Sequence, residues 1–339
     1  MNVITPDTCV GPRLVCPVCR SDLQVRGDGA WRCTSCSRTF PEVAGIPDLR
    51  VRSDRYLSLD ADRRKSERLA EHSGEGFAAV VAAYWAMTPD VPAALAARYA
   101  ARAADGVRRG ASLLAELGGP PIRDATLLDV GCGTGGTLVA AAEAGAHATG
   151  VDIALRWLVA ARELIAEHAV SARLVAADGA VLPFRSASFD RVVCLETVEH
   201  AEDQRGVVQS ALLATAIGGQ ADVVVANRFS LATEPVARLW GVGFLPRRFQ
   251  AGYVKRRRGT RYQYFRALSA SELAAVVGPR SDVELRHGPL PAPAPSSGAL
   301  RRKAQRTYDV LAGSPVRGLT TSVAPYLRVS ARPEPRGGR

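Results

Sequence analysis

Leu127 to Gly136 reads LLDVGCGTGG. Thr126 to Val130 is apolar and β-branched enough for a buried strand, and Gly131, Gly133, Gly135 and Gly136 predict a tight turn before a helix over 137–144. Backbone without Cβ atoms lets a ligand come close there. Gly131, Gly133 and Gly136 satisfy the G-x-G-x-x-G spacing of dinucleotide sites, and Asp152 stands 21 residues after Gly131, where a ribose-binding acid belongs. Asp129 argues against a dinucleotide. It puts a carboxylate at the strand end where a pyrophosphate would pass, and an anion there repels phosphate and suits a cation.

Outward from this turn, apolar runs and helical periods alternate as a parallel sheet requires. Strands are predicted at 148–152, 172–176, 191–195, 222–227 and 283–287, helices at 155–167, 205–217 and 270–277, and an antiparallel last strand at 325–331. The fold class is therefore α/β, a doubly wound, seven-stranded, mostly parallel sheet of Rossmann-like type. Its motifs fall at carboxyl ends of strands, where open α/β sheets bind ligands.

Three stretches together resemble the class I S-adenosylmethionine-dependent methyltransferases, in particular the branch with the ubiquinone and menaquinone methyltransferases. LLDVGCGTGG resembles the first motif, GVDIA (Gly150 to Ala154) the second-strand acid, and AADGAVLPFRSASFDRVVCLETVEH (Ala176 to His200) the third and fourth strand signatures, within about residues 120 to 290. The resemblance implies S-adenosylmethionine, whose sulfonium and ammonium suit Asp129. It implies cofactor binding by Asp129, Gly131, Gly133, Asp152, Ile153, Asp178, Gly179 and Leu195, with Asp178 near the adenine amino group. Glu196 to His200 would face the transferred methyl. His200 is the candidate base, with Glu199 beside it, because a neutral imidazole titrates near physiological pH; the alternative is a histidine that caps the next helix. Ubiquinone O-methyltransferases carry a similar E-x-x-E-H run associated with a divalent ion, so Glu196, Glu199 and His200 are also a candidate Mg²⁺ site. Asp190, and the small Cys132 and Cys194, read as structural.

Upstream, Cys16, Cys19, Cys33 and Cys36 form C-x2-C-x13-C-x2-C, the zinc-ribbon spacing. Four sulfurs leave no open position, so the Zn²⁺ would be structural, supplying ~10 to 16 kcal/mol to a segment too small to fold unaided. Phe40 to Leu49, FPEVAGIPDL, resembles the end of zinc modules that precede some methyltransferases, including certain ribosomal RNA methyltransferases. The expected domains are a ribbon at 1–50, a charged linker at 51–76 solvated on most sides, a methyltransferase domain at 77–332 and a disordered tail at 333–339. The main domain has a helical lead-in at 77–118, in which Tyr84, Trp85 and Tyr99 are packing residues, and a basic insertion at 229–267. The ribbon is expected to need its metal to fold without affecting cofactor binding.

The net charge is +11, and 41 of 44 cations are arginine. The charge is local: 247–266 carries +8 and 301–339 carries +7, leaving the rest at −4. In RRFQAGYVKRRRGTRYQYFR (Arg247 to Arg266) the cations alternate with aromatics, which reads either as a solvated basic loop or as a mobile lid over an anionic acceptor with Arg256, Arg257 and Arg258 at its tip. The favoured partner is a small-molecule, lipid or glycan acceptor, modified at oxygen. An RNA methyltransferase using the ribbon and basic segments is the alternative, and a non-catalytic S-adenosylmethionine-binding protein the second. No uncharged run reaches the length of a membrane span, and no basic-then-apolar leader opens the chain, so the expected location is cytoplasmic.

Overall fold

The computed structural model describes residues 11–27, 29–290, 308 and 321–334. Most of the Pro/Ala/Ser spacer predicted at 289–298, of the weak helix predicted at 300–322 and of the predicted tail lies outside these residues, as does Cys9.

The chain opens with a three-stranded antiparallel sheet, β1 (Leu23–Val25), β2 (Trp31–Cys33) and β3 (Thr39–Phe40), and a hairpin of β4 (Glu42–Val43) and β5 (Ile46–Pro47). Four helices follow: α1 (Leu59–Ala70), α2 (Phe77–Ala86), α3 (Ala93–Ala104) and α4 (Gly106–Leu117). The main domain then alternates β6 (Thr126–Val130), α5 (Gly136–Glu143), β7 (His147–Asp152), α6 (Leu155–Glu167), β8 (Ala172–Ala176), β9 (Phe189–Leu195), α7 (Gln204–Ala214) and β10 (Thr215–Ala226). It closes with α8 (Arg247–Arg258), α9 (Ala270–Val277), β11 (Val283–His287) and β12 (Tyr326–Ala331).

Seven strands form one sheet in the order β11-β12-β10-β9-β6-β7-β8. β12 alone runs against its neighbours, wedged between β10 and β11 as the predicted antiparallel strand. Both faces are covered, so β6 buries Leu127 on one side and Leu128 on the other. Asp190 accepts from Thr126 N (2.9 Å) and its hydroxyl (2.7 Å), fixing the start of β9 against β6 in the structural role expected of it.

Two expectations need correction. The helix predicted to reach Ile217 stops at Ala214, and Thr215 already pairs with Phe189, with a register shift before Gln220. Thr215 and Ile217 are β-branched, and a parallel neighbour decides between helix and strand here. The segment 51–76 keeps most of its residues at least partly exposed, but one face is docked rather than free. Its helix α1 packs on α6, and Asp62 and Leu69 are buried. A chain of ion pairs docks it: Arg63 on Asp48, Asp48 on Arg50, Arg50 on Asp62, Asp62 on Arg156, Arg156 on Asp54. These three anions and three cations neutralise one another, which is the condition for burying charge. Tyr84 and Trp85 pack edge to face (4.8 Å), and Trp85 stacks on Tyr99 (5.8 Å), as expected of packing residues.

Candidate active site

β6, β7 and β8 are adjacent, and the register pairs Asp129 with Gly150 and Asp152 with Ala176. Asp129, Asp152 and Asp178 therefore stand along one carboxyl edge of the sheet, with the glycine turn between the first two. Gly131 shows why the turn is glycine-rich: its φ is +79°, and a Cβ there would lie 2.2 Å from Thr197 Oγ1 and Cγ2. Gly131 and Cys132 both donate to Val151 O, which ties the turn to β7.

Asp152 accepts from Gly133 N and Ala154 N (both 2.8 Å), so its carboxylate props the turn and the start of α6 while keeping acceptor capacity for a diol. Burial raises the pKa of Asp129 to about 7, with Asp152 adding to it. Burial raises Asp152 too, against the pull of its two amide donors. A site that strains two carboxylates in this way favours a cationic guest. Asp178 accepts from Ala180 N (2.8 Å) on one oxygen and from Arg52 Nε (2.9 Å) on the other. Ile153 follows Asp152 and receives Arg50 on its carbonyl (2.8 Å). Gly179 opens the short turn after Asp178, and Leu195 ends β9 beside β6.

The segment after β9 divides its residues. Glu196 has φ +55°, uncommon for a residue with a side chain, and its carboxylate pairs with Arg102 and Arg109 (3.3 Å to the second). Glu199 is buried; it accepts from Ala226 N (3.2 Å), its other oxygen has no partner among the described residues, and burial raises its pKa to about 8. His200 is exposed at one edge and meets Phe265 edge to face at 5.2 Å. Burial of the rest of the ring lowers its pKa, with Arg102 and Arg55 pushing the same way and Glu196 opposing. A lowered pKa favours the neutral ring. It does not cap α7: Asp203 does, accepting from Gly206 N (2.7 Å).

The Mg²⁺ expectation is not supported. Glu196 is spent on two arginines and Glu199 is sealed in the core. Among the described residues, the one group of three or more acids, histidines or cysteines whose ligand atoms converge is Cys16, Cys19, Cys33 and Cys36, all within 4.8 Å of one another. The Sγ separation of 3.7 Å (Cys16–Cys36) fits the edge, about 3.8 Å, of a tetrahedron with metal–sulfur bonds of about 2.3 Å, and Cys19–Cys33 lies closer at 3.3 Å. Ser35 N and Cys36 N point at Cys33 Sγ (3.4 Å each), the amide donation a metal-bound thiolate accepts. The four cysteines therefore fit Zn²⁺.

The basic insertion is helical in its middle and irregular on both sides. α8 buries Gln250 and Val254, and Arg256, Arg257 and Arg258 form its last turn, where cations offset the helix dipole. Arg258 donates to Ala237 O (3.1 Å) and Arg238 O (2.7 Å). What reaches the segment after β9 is the aromatic stretch beyond: Arg266 N donates to Glu199 O (2.8 Å), Phe265 meets His200, and Tyr264 meets Tyr56. Sequence reasoning missed Arg102 and Arg109, which lie on α3 and α4 among many arginines, and Arg52. The one sequence signal for Arg109 was Gly106 and Gly110 on the same helix, four apart. They bring α4 into backbone contact with α5: a Cβ on Gly136 would lie 2.4 Å from Gly106 C, and one on Gly110 2.6 Å from Thr137 Cα.

The sheet order, the glycine turn and the acids on three successive strand ends define a class I methyltransferase fold. Residues 128–221 match the family model described as a methyltransferase domain. Among curated proteins, the ubiquinone biosynthesis O-methyltransferase of Idiomarina loihiensis is 34% identical over 149 residues, 43% of this chain and 57% of that protein. The one from Paracidovorax citrulli is 34% identical over 167 residues, 46% and 62%. The chain thus spans about three fifths of the length of these relatives. A solved S-adenosylmethionine dependent methyltransferase from Mesorhizobium loti aligns over 67% of this chain and 99% of its own, at 21% identity and a TM-score of 0.43. Among the described residues no helix is long and apolar enough to cross a membrane.

Proposed function

We propose that the protein transfers a methyl group from S-adenosylmethionine to an oxygen of a small, anionic acceptor. The observation that carries this reading is the row of Asp129, Asp152 and Asp178 on adjacent strand ends, which puts negative charge where a dinucleotide would carry its pyrophosphate. Asp152 has acceptor capacity for the ribose hydroxyls, Asp178 for the adenine amino group, and Asp129 the charge that a sulfonium and an ammonium relieve. Arg102 and Arg109, held meanwhile by Glu196, supply positive charge for a carboxylate.

The donor brings a reactive sulfonium; the chain's share is to hold donor and acceptor in line and to remove the acceptor's proton. His200 is neutral, open at one edge and walled by Phe265, and serves as that base. Oxygen as the acceptor atom is supported by the curated relatives, which are named as O-methyltransferases. The aromatics Tyr56, Tyr262, Tyr264 and Phe265 give a ring-bearing acceptor a surface to stack on. Calorimetry with S-adenosylmethionine, S-adenosylhomocysteine and NAD tests the first half: the first two bind and the third does not. Methyl transfer from labelled donor to a panel of phenolic and carboxylated acceptors tests the second, and NAD binding in place of the sulfonium would refute the reading.

A further inference from the structure

The arm that leaves the cysteine ribbon grips Asp178 and the backbone just after Asp152, at the adenosine end of the site. Asp48 bridges to Ala176 at the edge of β8, and Leu49 N donates to Ala176 O (2.8 Å). Arg50 holds Ile153 O (2.8 Å), next to Asp152, while Asp62, which Arg50 also holds, accepts from Leu155 N (3.0 Å) at the start of α6. Two residues on, Arg52 lies on Asp178. From its other side the ribbon holds the stretch after Gly179: Val15 N donates to Pro183 O (2.9 Å), and Arg20 donates to the carbonyls of Leu182 and Phe184. Cys16 and Cys33 are buried in the same apolar cluster as Phe184 and Phe189. The backbone just after Asp152 and on both sides of Asp178 is therefore held by the ribbon and the arm that leaves it.

We propose that metal at Cys16, Cys19, Cys33 and Cys36 and the adenosine ligand bind cooperatively, with Asp48 to Arg52 carrying the order of the ribbon to Asp152 and Asp178. The inference rests on the assignment of those acids to S-adenosylmethionine. It runs against the expectation that the ribbon and the cofactor site are independent. Without metal, the four sulfurs lose the partner that fixes the two cysteine knuckles. The contacts that start in the knuckles, those of Val15 and Arg20, loosen first, and the arm at Leu49 to Arg52 is then held from one side only. A coupling of this kind is reciprocal, so the ligand raises metal affinity by the factor by which metal raises ligand affinity, about 5- to 150-fold for typical couplings.

The experiment compares the full chain loaded with Zn²⁺ and stripped by chelator, with metal content measured in both. S-adenosylhomocysteine should bind the stripped chain about 5- to 150-fold more weakly. In the ligand-free chain, amides at 153–156 and 177–184 should lose hydrogen-exchange protection on stripping, while those at 127–130 and 192–195 keep theirs. Arg52→Gln, on a half-exposed side chain, should keep its zinc and still lose affinity for S-adenosylhomocysteine. Unchanged affinity in the stripped chain, unchanged exchange at the two loops, or loss of protection throughout the sheet would each overturn the proposal. If the zinc-loaded chain binds no S-adenosylhomocysteine, the functional reading fails, and the exchange measurement still decides whether the ribbon orders the two loops.

Discussion

Asp62→Ala tests the buried ion-pair chain most directly. Asp62 is 1% exposed; one oxygen receives Arg156 (2.7 Å), the other receives Arg50 and the amide of Leu155 (3.0 Å). Alanine would leave two buried guanidinium groups short of a partner and an orphan donor at the first turn of α6. Removing one member of a buried pair costs about 3 to 5 kcal/mol, because the charge left behind is uncompensated. Against a total stability of about 5 to 15 kcal/mol, that is a large fraction. With a urea slope of about 3 kcal/mol/M, the midpoint should fall by about 1 to 1.7 M. Equilibrium urea unfolding, followed by tryptophan fluorescence, measures it. The same network carries a pH signature. Burial works against ionisation of Asp48, but Arg50 and Arg63 outweigh it and hold its pKa below the ordinary value. The stability it contributes is present above the unfolded pKa of about 3.9 and lost as pH falls through the lower folded value. A midpoint shift under about 0.3 M, on the same slope, would mean that water screens the network, and the account of how 51–76 docks would be wrong.

Three further outcomes follow from the site. Glu199→Gln mimics the protonated acid that burial favours: with a folded pKa of about 8, the stability from Glu199 is full below its unfolded pKa of about 4.3 and is lost progressively until pH passes 8, so the parent's melting temperature should decline between about pH 5 and 8 where the variant's holds. Asp129, with a pKa of about 7, should ionise when a sulfonium binds, so affinity should fall as pH drops below 7. Calorimetry in buffers of different ionisation enthalpy should then record proton release near pH 6.5, and Asp129→Asn should record none. Arg109→Met should cost about 1.5 to 3 kcal/mol in S-adenosylhomocysteine affinity, the range for a hydrogen bond to a charged group, with an unchanged unfolding midpoint; unchanged affinity would remove Arg109 from the site.

The sheet was readable because buried parallel strands leave apolar runs bounded by turns; 126–130, 172–176 and 283–287 fall where those runs predict. The run through Leu212 to Ile217 fitted either period, and pairing with β9 decided it. Charge was harder to read. Asp62 and Arg156 lie 94 residues apart, so nothing local marks Arg50, Asp62 and Arg156 as each other's partners, and a charged stretch looks solvated until its counter-charges are seen. Arg102 and Arg109 were hidden by composition: in a chain with 41 arginines, two more carry no signal without Glu196 in front of them. Gly131, by contrast, was legible because its role lies in its own backbone.

The contact of Gly106 and Gly110 with Gly136 and Thr137 bears on how the chain could be re-engineered. Helices usually meet through a layer of side chains that can repack when one partner changes. Here main chain lies on main chain, so the joint has no adjustable filler. α4 therefore acts as a fixed gauge, setting the height of Arg109 above the glycine turn from the thickness of two peptide backbones. The lead-in helices could not be exchanged as a cassette for those of another methyltransferase unless the replacement brought bare backbone to the same two places.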